Sequence, residues 1–342
     1  DAYGGGLGQK TGFNSATSDI EAVVWGDIEV TLNGTAFNIN YYTDEGYTDV
    51  VKSGRVFGCN NLLGSPQGNV TVTVNQTVEG NTPRTEYDEE NDIDKRKSET
   101  ETDHSYELAA VYGGGNLAPY EPPTSGKKAH VIINGCDTTS ILTVYGGGNA
   151  APVPETDVDV ISCFEIGSVF GGGNGKDKYK KGSTWETNPG ADVNGQANTI
   201  IYGGTVHEAY GASNEKGTIH GDVVIDVSNT LPTGGTSTCP LDVAKIVGAG
   251  KNADVNGDLI MVMGCKPATK IPVLYAGADN ANVNGDVELT ITSGNFGQVF
   301  GGNNENGAIM GHIKLNIEET GDCGTPITID ELYLGGNQAA YS

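Results

Sequence analysis

Basic residues are what this chain has least of. Lysine and arginine total 19 against 44 aspartates and glutamates, a net charge of −25 over 342 residues, and the arginines are only Arg55, Arg84 and Arg96. Binding a phosphate backbone needs clustered Lys and Arg, so nucleic acid is excluded as the expected partner and an anionic membrane surface is disfavoured. Apolar stretches are short as well: none approaches the ~18 residues of a membrane-spanning helix. No secretory leader is visible, and the chain opens directly on a repeat motif, so it reads as a processed piece of a longer chain. Proline stands at 13 while glycine stands at 52, about twice the usual share of glycine. Without a Gly-X-Y period this rules out collagen and a proline-rich disordered chain. The six cysteines (Cys59, Cys136, Cys163, Cys239, Cys265 and Cys323) include no CxxC pair, so neither a zinc site nor a thioredoxin-like motif is supported.

What is present is a repeat. An aliphatic–aromatic–Gly motif recurs at Ala2-Tyr3, Val56-Phe57, Val111-Tyr112, Val144-Tyr145, Val169-Phe170, Ala209-Tyr210, Ile246-Val247, Leu274-Tyr275, Val299-Phe300 and Leu332-Tyr333. The second position is aromatic in every copy but one, Val247. Four residues further on stand Asn61, Asn116, Asn149, Asn174, Asn214, Asn304 and Asn337, with Leu7, Lys251 and Asp279 breaking the column. A second element follows most copies, as in Gly26-Asp27-Ile28-Glu29-Val30 and Gly221-Asp222-Val223-Val224-Ile225. Its apolar–polar alternation is the period of a half-buried strand. A third, weaker strand is expected just before each aromatic, at Ile141–Val144 and Ile327–Asp330 for example.

No segment carries a helical period, so βαβ crossovers and a Rossmann-type fold are excluded. One repeat cannot bury its apolar face alone, whereas stacked repeats share a continuous core. The expectation is an all-β chain: a single domain over 1–342 forming a right-handed parallel β-helix, or β-solenoid, of about ten coils. At ~4.8 Å per coil it would be a rod roughly 50 Å long. Its aromatics should stack, its asparagines should form a hydrogen-bonded ladder, and its Gly–Gly corners should need positive φ. Uneven spacing marks insertions near Pro119–Lys128, Lys176–Pro189 and Asn229–Cys239, and a mobile, charged loop at 80–105. No cap is evident at either end, so further coils or domains of the same parent chain are expected.

Candidate sites are few. The asparagine column reads as scaffold. Cys136 with Cys163, and Cys239 with Cys265, are expected to stack on neighbouring coils within bridging distance, either as disulfides or as buried thiols. Ala253–Asp258 and Ala281–Asp286 resemble part of a calcium loop but lack its closing glutamate, and read as corner residues. Asp222, Asp258 and Asp286 share one repeat column, which makes them structural before catalytic. The histidines (His104, His130, His207, His220 and His312) are dispersed. No catalytic, cofactor-binding or metal-binding residue is assigned, and no cofactor is expected.

The tandem V-Y/F-G-G-G-N pattern resembles, over the whole chain, the Gly/Asn-rich β-helical repeats of adhesin-like bacterial surface proteins, as in gut Bacteroidetes. The resemblance implies export, display at the cell surface and binding to a host or matrix glycan or protein. The leading expectation is therefore a non-enzymatic surface or secreted β-helix, acting as adhesin or stalk. A polysaccharide lyase or hydrolase would instead show carboxylates with Lys or Arg on one exposed face outside the ladder columns. A phage-type fibre would form a trimer.

Overall fold

A computed structural model describes residues 1–12, 15–35, 41–43, 50–52, 54–77, 106–175, 178–181, 184–187, 190–228, 230–231, 237–265, 270–319 and 325–339. Its body is two parallel sheets. The first has ten strands, from Ala2–Tyr3 to Ile327–Tyr333, and the second has nine, from Ile28–Asn33 to Ile313–Ile317. Along the chain, body strands alternate strictly between the sheets, as in a parallel β-solenoid, and no helix occurs among the described residues. All ten aromatic-motif copies fall in register: Val56 pairs with Ala2 and Val111, Val144 with Val111 and Val169, and so on to Val299 with Leu332.

Alternation decides which side chains face inward. Val131 and Ile133 are fully buried while His130 and Ile132, between and beside them, face outward and are partly exposed. A column of single parallel bridges closes the third side of the core. It runs Val153, Val193, Ile219, Val255, Val283, Ile309, and all six are buried. Tyr120 takes the equivalent place before Val153, its amide donating to the Pro152 carbonyl and its hydroxyl to the Gly68 carbonyl at 2.5 Å. Each buried Val, Leu or Ile contributes roughly 1.5–3 kcal/mol, so the stacked aliphatic columns are the main source of stability.

Two expectations need correction. The residues expected as a third strand are the first half of the aromatic-bearing strand, as in Ser140–Tyr145 and Ile327–Tyr333. The true third side follows the Gly–Asn corner and makes isolated bridges, one per layer in most of the stack. Corner glycines also serve a different purpose. Gly113, Gly146, Gly171, Gly211 and Gly248 do not have positive φ. A Cβ on any of them would lie 2.1–2.3 Å from a carbonyl oxygen of the next layer, so close approach of backbones selects glycine. Ala276 is the interior layer that carries a methyl there.

Two antiparallel ribbons stand outside the body sheets: Tyr41–Thr43 with Val50–Lys52, and Lys178–Lys181 with Thr184–Thr187. The charged segment 80–105 lies outside the described residues.

Candidate functional site

The expected ladders are present. Asn116 Nδ2 donates to Asn61 Oδ1 at 2.9 Å, and Asn149, Asn174 and Asn214 continue the chain at 2.8, 2.9 and 2.9 Å. Beyond the interruption at Lys251, Asn304 donates to Asp279 at 2.5 Å and Asn337 to Asn304 at 3.0 Å. The rings stack beside them, from Tyr3 on Phe57 at 4.8 Å to Phe170 on Tyr210 at 4.7 Å, then Tyr275, Phe300 and Tyr333. Tyr112 and Tyr145 hydroxyls donate to Asn149 and Asn174. The amides bond to one another along the stack, and the column is scaffold.

Both ladders break in one layer, at Val247 and Lys251. Lys245 fills the gap. Its ammonium lies 5.3 Å from the centre of the Tyr210 ring, donates to the Tyr210 hydroxyl at 3.1 Å and pairs with Asp279 at 2.8 Å. Glu208 is 3.8 Å away. Burial would raise the Asp279 carboxyl, but hydrogen bonds from Asn304 and Lys245, with the lysine charge, hold it below the usual carboxylate range. Burial and two neighbouring carboxylates push the Tyr210 hydroxyl far up. This cluster is chemically quiet: a satisfied ion pair in a buried seam. Sequence reasoning saw the two breaks and missed their coupling, although Asp279 in the asparagine column was a visible signal.

The aspartate column is also structural. Asp222 accepts the Asp258 amide at 2.9 Å, Asp258 the Asp286 amide at 2.9 Å, and Asp286 the His312 amide at 2.7 Å. Asp254 likewise accepts the Asn282 amide at 2.8 Å. The calcium-like stretches thus spend these carboxylates on backbone of the neighbouring layer. Among the described residues no three His, Cys, Asp or Glu side chains converge as a metal site. A cavity of about 300 Å³ between Leu7, Lys10, Thr17 and Leu62 is lined by no carboxylate or histidine.

A further polar group lies outside the ladder columns. On the outer side of the second sheet, in the strands Ala129–Ile133, Thr156–Val160 and Ala197–Ile201, His130 Nε2 lies 2.8 Å from Asp159 and Asn198 donates to Asp157 at 2.9 Å. Lys128 pairs with Asp157. Burial, then Asp159 and Asp226, pushes the neighbouring Tyr202 hydroxyl up to about 12. The sequence pattern missed this group because none of its three strands carries the Gly-Asp lead, and two lack the glycine as well. The other described histidines are apart from it, each paired with a carboxylate of an adjacent layer: His207 with Glu165, His220 with Asp192, His312 with Asp286.

The cysteine expectation fails in its pairing. Cys136 is bridged to Cys239, with Cα atoms 5.6 Å apart, and Cys163 is a buried free thiol. Cys265 is also disulfide-bonded, so Cys239–Cys265 does not form. Cys136 and Cys239 precede the strands Ser140–Tyr145 and Leu241–Val247, between which two strands of the first sheet intervene. Ser237 and Cys239 are seated against the stretch 161–163, which brings Cys239 toward Cys136. Ser237 Oγ donates to the Ile161 carbonyl at 3.1 Å, and the Cys239 sulfur lies 3.6 Å from the Cys163 carbonyl. Cys163 faces inward, where a Cβ on Gly204 would lie 2.3 Å from its sulfur. Cys59 is also buried and free. No protein-family model matches the chain, and neither a curated protein nor a solved structure matches it.

Proposed function

We propose that this chain is a non-enzymatic, right-handed parallel β-helix of ten coils, a single domain of an exported or surface-displayed bacterial protein that serves as a binding module or stalk. The observation that carries the reading is the use of outward polar side chains: asparagines, corner aspartates and described histidines bond mainly to neighbouring layers, which builds a rod and leaves few groups for chemistry. The Cys136–Cys239 disulfide supports an oxidising compartment, since disulfides persist outside the reducing cytosol. A host or matrix glycan or protein is the proposed ligand class.

A second reading has one observation in its favour. Asp157 and Asp159 stand two residues apart on the same outer face, beside Lys128 and His130. A spacing of two strand residues is ~6.6 Å, within the separation an inverting glycosidase uses. The test is a glycan and matrix-protein array, with and without calcium, followed by product analysis of every bound glycan. Binding with the ligand recovered intact supports the proposal. Cleavage that disappears in D157N and D159N would replace it with the polysaccharide-active reading.

A further inference from the structure

Asparagine followed directly by glycine occurs seven times in the chain. The pair is chemically labile, because the glycine amide nitrogen can attack the asparagine Cγ with no side chain in the way. The attack needs a glycine N–H that is not spent on a hydrogen bond and a carboxamide free to turn, so the fold selects among the seven. Gly135 donates its amide to Ser162 Oγ at 3.0 Å, Gly175 to the Asn149 carbonyl at 2.9 Å and Gly195 to the Pro154 carbonyl at 2.6 Å. Asn33 is held at its side-chain oxygen by Asn75 at 2.8 Å. Asn284 donates to Asn256 at 2.8 Å, and Asn256 Nδ2 lies 3.3 Å from His220 Nδ1. Asn306 is the exception among the described residues. It is exposed, neither end of its carboxamide has a partner, and the Gly307 amide has no acceptor.

The cause is an extra residue in the corner. Asn149 to Val153, Lys251 to Val255 and Asp279 to Val283 are four residues apart, whereas Asn214 to Ile219 and Asn304 to Ile309 are five. In the longer corners a glycine two places before the bridge takes positive φ, 129° at Gly217 and 86° at Gly307, the left-handed region that glycine enters at little cost. Glu305 takes the register of Asn280, its amide donating to the Asp279 carbonyl as that of Asn280 donates to Lys251. Asn280 donates in turn to Asn252 at 3.1 Å. Asn306 is the residue left over, and it has no place in either ladder.

We infer that Asn306 is a modification site, at which the folded chain deamidates. The Gly307 nitrogen bonds to Asn306 Cγ and gives its proton to water, the Cγ–Nδ2 bond breaks, and ammonia leaves. Water then opens the cyclic imide at one carbonyl or the other, giving aspartate or isoaspartate. Water is the co-reactant, and nothing is oxidised or reduced. Aspartate adds a charge beside Glu305 and keeps the main chain as it was. Isoaspartate routes the main chain through Cβ and lengthens it where there is no slack. Asn303 Nδ2 donates to the Asn306 carbonyl at 3.2 Å, and a Cβ on Gly307 would lie 1.9 Å from the Ala281 carbonyl oxygen.

The experiment ages the full chain, folded and in denaturant, at neutral pH in heavy-oxygen water, which labels what happens before digestion, and follows each Asn-Gly peptide by mass spectrometry. In the folded chain Asn306 should be modified at least about tenfold faster than Asn134, Asn174 or Asn194, the factor expected for first opening one hydrogen bond. In denaturant the rates should converge. Asn306 left intact in the folded chain while the other pairs react overturns the inference. Rates that differ as much in denaturant overturn it too, since sequence alone would then select the site. N306Q supplies the unmodified control. The Met310 amide, which donates to the Val283 carbonyl at 2.9 Å, should exchange faster in the aged wild type than in aged N306Q. Equal exchange would overturn the lack of room for isoaspartate in this corner.

Discussion

Val247 stands where the other layers of the first sheet carry an aromatic ring, and its neighbours show how one missing ring propagates. The lysine two residues earlier occupies the vacated seam, and an aspartate in the next layer, in place of asparagine, answers its charge. The three residues act as one substitution. D279N keeps the ladder shape but leaves Lys245 only the longer, 3.8 Å pairing with Glu208. Removing one member of a buried pair costs 3–5 kcal/mol, and the 20% exposure of the lysine side chain reduces this to about 1–3 kcal/mol. The triple variant K245T/V247F/D279N, which restores the residue types of other layers, should recover to within about 1 kcal/mol of wild type. Denaturant melts measure both, and a triple variant no more stable than D279N would disprove the coupling. Asp279 also sets a pH signature. A carboxyl whose folded pKa is depressed contributes stability above its unfolded value of 3.8 and loses it as pH falls through the folded pKa. The advantage of wild type over the triple variant should therefore shrink below about pH 4.

Strands repeat a pattern, and pattern is what a sequence displays. The ten aromatic-motif copies, seven ladder asparagines and the structural aspartates were legible because several layers restate them. Where a layer departs from the pattern, legibility fails. Lys245 carries no motif, His130 and Asp157 sit in strands without the Gly-Asp lead, and Cys239 meets Cys136 from a layer that is not adjacent to it. Spacing alone places Cys136 beside Cys163, whereas the fold sets Cys239 beside Cys136 across two intervening strands. The bridge closes 103 residues, for which loop-entropy arguments give up to about 4–5 kcal/mol. C136S/C239S should accordingly lower the melting temperature. A non-reducing peptide map should link Cys136 to Cys239, and a Cys136–Cys163 peptide would refute the pairing. Cys163 should resist alkylation until the chain unfolds, because burial pushes its thiol far above its ordinary value.

In a stack each layer touches only its neighbours, so stability adds along the axis and need not be uniform. Interior strands of the second sheet from Ala129–Ile133 to Val287–Ile291 bury every inward residue. The strand Ile313–Ile317 buries none of its five residues fully, and in Ile327–Tyr333 the exposure reaches 43% at Leu332 and 46% at Tyr333. Covalent closure reinforces the middle, because Cys136–Cys239 prevents the layers it encloses from separating freely. Native-state hydrogen exchange should then be graded. Amides of Thr156–Val160 and Ala197–Ile201 should exchange slowest, and those of Ile313–Ile317 faster by at least about a hundredfold, or roughly 3 kcal/mol of opening energy. The C136S/C239S variant should speed exchange in the enclosed strands and leave Ile313–Ile317 unchanged, because that strand lies outside the loop this bridge closes. Equal protection throughout, lost in one step in C136S/C239S, would mean that the stack opens as a single unit. The bridge would then stabilise every layer alike, and the enclosed strands could not be singled out as the persistent centre of the rod.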